Sequence, residues 1–122
     1  MGAERLTFKE MCAKFDVTPR TLRYYEYIEL LSPEKEGRSR FYTGRELARM
    51  TLILRGRRWG FSLEEIRQWL EIYEQDGTKE QNRAFLELAD RQLDALIKER
   101  AALDETIEDL SKMREDVSKS VD

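Results

Sequence analysis

The sequence predicts a mainly α-helical protein: short helices gathered around one small β-hairpin, followed by a long helix built to pair with another. Three observations carry this. Threonine caps precede short apolar stripes at helical spacing; an alternating run around Gly37 interrupts them; and residues 78–118 hold a heptad seam with neither glycine nor proline. The expected division is a globule over residues 1–77, a dimerisation helix over 78–118 and a short tail over 119–122.

Composition narrows the chemistry. Of the 122 residues, 39% are charged, far above the usual quarter, which points to long solvated helices rather than one large core. Histidine is absent and Cys12 is the only cysteine. The commonest general base, the commonest zinc ligand and any internal disulfide are therefore missing, so no enzyme, cofactor or metal site is expected. With no run of 18 apolar residues and no signal-peptide core, a membrane partner is not expected either, and the location expected is cytoplasmic. The net charge of −3 hides a division: residues 1–62 hold 13 Lys/Arg against 8 Asp/Glu, and residues 63–122 hold 9 against 17. A polyanion would be drawn to the first part and repelled by the second.

Thr7 to Glu10 reads as a capping box opening a first helix whose stripe is Phe8, Met11, Cys12 and Phe15. Cys12 on that stripe is expected to be a buried structural thiol. Asp16-Val17 turns into a second helix, capped by Thr18 with Pro19 in its first turn and Val17 stapled to Leu22. Two short helices across so tight a turn form a helix-turn-helix. At about 100° per residue, Arg20, Arg23, Tyr24 and Tyr27 share the outer face of the second helix, while Leu22 and Tyr25 turn inward. Two guanidinium groups and two phenols on one short helix suit phosphates and base edges; an ordinary exposed basic helix is the alternative.

Pro33 ends helical structure, and residues 34–42 read as a hairpin with Gly37 in or near its turn. Arg38, Arg40 and Tyr42 alternate at period two and are expected on one face, as in a wing lying along a phosphate backbone. Thr43 to Glu46 reads as another capping box, opening a helix with Leu47, Met50 and Leu54 inside. That helix closes in the cations Arg55, Arg57 and Arg58, which also complement its dipole. Trp59-Gly60-Phe61 breaks it, and Ser62 to Glu65 starts a fourth helix with Leu63, Ile66, Leu70 and Tyr73 on its apolar side. Trp59 and Trp69 read as core or interface aromatics before ligand platforms. Gly77 is expected to end this helix and Thr78 to cap the next.

The last helix should be a rod about 60 Å long, at 1.5 Å per residue. Leu86, Leu93, Arg100, Ile107 and Arg114 fall at heptad position a, with Ala89, Leu96, Leu103, Leu110 and Val117 at d. Such a seam needs a partner, most simply its own copy. A parallel pair would stack Arg100 on Arg100 and Arg114 on Arg114, so an antiparallel coiled coil is expected.

Four stretches in order, Thr18-Pro-Arg-Thr-Leu-Arg-Tyr-Tyr-Glu26, Leu30-Leu-Ser-Pro33, Arg40-Phe-Tyr42 and Gly60-Phe-Ser-Leu-Glu-Glu-Ile66, resemble the MerR family of bacterial transcription regulators. The resemblance spans nearly the whole chain. It implies a winged helix-turn-helix with two wings, a homodimer on double-stranded promoter DNA, and action on RNA polymerase by bending and untwisting a pseudo-palindromic promoter site. Carried onto this sequence, it implies DNA contacts from Arg20, Arg23, Tyr24 and Tyr25 on the recognition helix. Wing one would add Arg38, Arg40 and Tyr42, and the edge of wing two Arg55, Arg57 and Arg58. Leu52 to Phe61 is similar to the subgroup controlling leucine and isovalerate catabolism.

Family members often carry glycine where this chain has Glu29, a substitution that costs about 1 kcal/mol if the backbone there is left-handed. Metal- and redox-sensing members carry cysteines near the dimer helix, which this chain lacks, and multidrug sensors continue into a ligand domain, whereas this chain ends just after the rod. Any effector is therefore expected to be a small organic molecule, with Trp59, Trp69, Tyr73 and Phe85 the nearest apolar candidates. The rival reading is a helical adaptor that binds proteins through its basic face and rod.

Overall fold

In a computed structural model, residues 5–74 and 79–121 are described, the side chains of Tyr73 and Gln81 excepted. The order is β1 (Leu6–Thr7), α1 (Phe8–Phe15), α2 (Pro19–Tyr27), β2 (Glu34–Glu36), β3 (Ser39–Tyr42), α3 (Gly44–Trp59), α4 (Leu63–Glu74) and α5 (Lys79–Ser118). The chain divides into two compact units, one ending at Gly77 and the other starting at Thr78.

Local chemistry sets most boundaries in the first unit. Thr7 and Glu10 form the reciprocal capping box at the start of α1. The Thr18 hydroxyl accepts the Thr21 N–H at 3.0 Å, with Pro19 in the first turn of α2. Ser62 and Glu65 exchange the same pair of bonds at α4. Thr43 does not cap α3 through its side chain. Glu46, expected to complete that box, is instead 2% exposed and accepts the Ser32 N–H at 2.9 Å and Arg45 at 2.6 Å. A buried carboxylate gains more from two donors than from an exposed helix end.

The sheet is larger than a hairpin. β3 pairs with β2 on one side and with β1 on the other, in the order β1-β3-β2, with Leu6 opposite Tyr42 and Thr7 opposite Phe41. Gly37 takes φ +62° in the tight β2–β3 turn, a conformation open to glycine without a steric penalty. The core is formed by Met11, Leu22, Leu30, Leu31, Tyr42, Met50, Ile53, Phe61, Ile66 and Leu70. Cys12 is half-buried rather than fully enclosed, and burial pushes its thiol above the ordinary value, with Arg23 opposing and Glu26 assisting.

The turn after α2 is held from outside. Glu29 has φ +64°, the left-handed conformation that glycine would adopt freely. Around it, Arg67 of α4 donates to the Ile28 carbonyl, Arg49 of α3 donates to the Leu30 carbonyl at 2.8 Å, and Glu46 accepts from Ser32. Arg49 also pairs with Glu74 at 2.7 Å, and Arg45 pairs with the same carboxylate at 3.1 Å.

The second unit is dominated by α5, 40 residues and about 60 Å of helix. Leu86, Leu93, Leu103, Ile107, Leu110 and Val117 are all exposed, and Leu96 is half-buried. Ile97 and Met113, beside the a and d positions, are exposed too and widen the seam. Gly77 and Thr78, the expected stop and cap between α4 and α5, lie outside the described residues.

Candidate nucleic-acid interface

The helical wheel of α2 is realised. Arg20, Arg23, Tyr24 and Tyr27 are exposed, Tyr27 at 83%, while Leu22 is fully buried. Tyr25 is 7% exposed, so its side chain belongs to the core and not to the outer face where the resemblance places a DNA contact. It shares the inward side of α2 with the buried Leu22, three residues earlier.

Beside that face, α1, α2 and the sheet line an open cleft of about 350 Å³ whose lining includes Lys9, Arg23, Arg38, Arg40 and Phe8. The guanidinium groups of Arg23 and Arg40 lie 5.3 and 5.5 Å from the centre of the Phe8 ring, within cation–π range. Four cations along an open cleft suit a phosphate backbone, because each displaces condensed counterions as it meets an anion. Lys9 escaped the sequence reading: no periodicity marks it, and only the fold of α1 against the wing brings it to the cleft.

Arg40 and Tyr42 do share a face of β3, but that face looks toward α2. Tyr42 is fully buried, its hydroxyl donates to Glu26, and Arg40 pairs with the same carboxylate at 3.2 Å. Burial first, then the bond to Glu26, push the Tyr42 phenol far above its ordinary value, so it remains a donor. Tyr42 therefore lies in the core instead of on a DNA-facing surface. The unforeseen strand β1 pairs with β3 beside it, with Leu6 opposite Tyr42. Arg38, at the turn, remains exposed.

Arg55, Arg57 and Arg58 are exposed in the last turns of α3. Arg57 donates to the Phe61 carbonyl at 3.1 Å, and Arg55 lies 5.3 Å from the Trp59 ring centre. Trp59, Phe61 and Trp69 cluster with ring centres 5.3–6.4 Å apart. Trp69 and Phe61 are buried and Trp59 is half-buried, so two of the four effector candidates meet. Phe85 belongs to the other unit, and the Tyr73 side chain lies outside the described residues. Among the described residues, no three of His, Cys, Asp or Glu gather as a metal cluster, and no helix is long and apolar enough to cross a membrane.

A basic outward helix face, a cationic wing cleft and a long exposed apolar seam define a winged helix-turn-helix protein of the DNA-binding class. The description "MerR HTH family regulatory protein" matches residues 6–72, and "MerR, DNA binding" matches residues 47–116. The chain belongs to the MerR family of helix-turn-helix regulators. It is similar to the HTH-type transcriptional regulator ZntR of Escherichia coli, 43% identical over 65 residues that cover 52% of this chain and 46% of ZntR. It thus spans about half the length of that relative. A MerR family transcriptional regulator from Bacillus cereus, solved as a crystal structure, is 29% identical with a TM-score of 0.78 over 98% of this chain and 87% of that one. The fold is shared too with HiNmlR, a MerR family regulator lacking the sensor domain and solved on promoter DNA: 24% identity, TM-score 0.60, covering 79% of this chain and 75% of that one. These relatives are regulators of transcription, not enzymes, and none supports the adaptor reading.

Proposed function

We propose that this chain regulates transcription in the cytoplasm as a homodimer on double-stranded promoter DNA. The observation that carries the reading is the exposed face of α2 beside the four-cation cleft. Residues 1–77 would be the DNA-binding domain, 78–118 the dimerisation helix and 119–122 a tail. Arg20, Arg23 and Tyr24 would enter the major groove, Arg38 and Arg40 would follow the backbone beside Lys9, and Arg55, Arg57 and Arg58 would contact the flank.

The exposed α5 seam supports antiparallel pairing through Leu86, Leu93, Leu96, Leu103, Ile107, Leu110 and Val117, which keeps Arg100 and Arg114 away from their own copies. Twofold symmetry then calls for a pseudo-palindromic site. Bending and untwisting such a site costs on the order of 1–6 kcal/mol, which the dimer would supply to align the promoter for RNA polymerase. A small organic effector would bias that deformation near Trp59 and Trp69. The leucine and isovalerate subgroup rests on the run Leu52 to Phe61 alone.

Selection of bound sequences from random DNA tests the reading. A two-half-site palindrome is the expected result, and no enrichment at all would refute it. Leu96→Lys with Leu103→Lys should sediment as a folded monomer; an intact dimer would refute the seam.

A further inference from the structure

We propose that Glu26 sets sequence specificity by positioning the wing, holding Arg40 and Tyr42 against the recognition helix while withholding part of Arg40's charge from DNA. The assignment rests on the DNA-binding reading above.

Glu26 lies one helical turn beyond Arg23 on α2, with its side chain 12% exposed. One carboxylate oxygen pairs with Arg40 Nε at 3.2 Å, and the other accepts from the Tyr42 hydroxyl. Both partners are on β3, the central strand, so this one side chain fixes how far the wing stands from the helix. The Arg40 side chain remains 37% exposed and lines the cleft with Lys9, Arg23 and Arg38.

A carboxylate beside a phosphate-binding cleft opposes affinity for every sequence, because it repels the backbone and offsets one cation. A rigid wing gives a different return. When wing and helix are fixed together, only DNA whose groove and backbone match that spacing satisfies both at once. Weak binding to mismatched DNA then contributes to discrimination as much as tight binding to the matched site. Tyr42 supports the geometry without altering the charge.

Wild type, Glu26→Gln, Glu26→Ala and Tyr42→Phe should be titrated with the selected duplex and a random duplex across salt, after melting confirms folding. For both Glu26 variants, random-DNA affinity should rise about threefold to tenfold and the salt slope should steepen by about one unit. For Glu26→Ala, the matched-to-random ratio should also fall about tenfold or more. Tyr42→Phe should leave the slope unchanged. If Glu26→Ala does not fold, the slope of Glu26→Gln decides alone. An unchanged slope in Glu26→Gln, or equal losses on both duplexes, overturns the assignment while wild-type binding stands. Failure of wild type to bind either duplex overturns the DNA-binding reading itself.

Discussion

Gly56 of α3 faces Ile66 of α4 so closely that a Cβ at Gly56 would lie 2.8 Å from Ile66 Cγ1 and 3.1 Å from its Cδ1. The third neighbour is the Trp69 ring, at 3.6 Å. The two helices touch here because one of them has no side chain.

Gly56→Ala should therefore destabilise the protein although alanine is the better helix former. Overpacking costs about 1–3 kcal/mol, against about 1 kcal/mol gained in helix propensity. A net loss of about 1 kcal/mol is expected in urea denaturation. A gain would show that α4 moves aside freely.

Glu29→Gly should do the opposite. At φ +64° a side chain costs about 1–2 kcal/mol, and the added freedom of glycine in the unfolded chain returns about 0.4–1 kcal/mol of that. A stabilisation of about 0.5–1 kcal/mol should raise the melting temperature by a few degrees. An unchanged or lower midpoint would contradict it.

Glu74 links stability to pH. Burial pushes its carboxyl up, but Arg49 and Arg45 outweigh that and hold it below its ordinary value of 4.5. A depressed folded value means that its contribution is complete above about pH 4.5 and is lost as pH falls through the folded value. Glu74→Gln should be less stable than wild type at pH 7, and the gap should close on acidification. A gap that stayed constant with pH would assign the loss to packing.

Backbone and base contacts should separate by salt. Arg38→Ala, at the exposed wing turn, should weaken binding to all sequences and lower the salt slope by about one unit. Arg23→Ala should cost about 1–3 kcal/mol at one base pair and relax preference there. Equal losses on matched and random DNA for Arg23→Ala would make it a backbone contact.

What could be read beforehand was what is local. The Thr7, Thr18 and Ser62 caps and the α2 wheel depend on residues within one or two turns, and each appears as expected. Thr43 and Glu46 have the same local pattern, yet Ser32, 14 residues away, claims the carboxylate. Alternation puts Tyr42 on the face of Arg40, but it does not say that this face turns toward Glu26 of α2, 16 residues back. Lys9 matters through its place in the cleft and Glu26 through its bonds to β3, and spacing along the chain encodes neither. At Tyr25 the wheel and the resemblance disagreed, and the wheel agrees with the burial.

The turn after α2 is bonded to Arg67, Arg49 and Glu46 from two other helices. Pivoting the recognition helix would tear three part-buried polar links, each costing up to about 1–3 kcal/mol if left unmade. The reading head is therefore welded to its mount. An effector that altered the proposed grip on DNA is therefore expected to swing the mount as a block, like turning a key by its bow and not by its teeth.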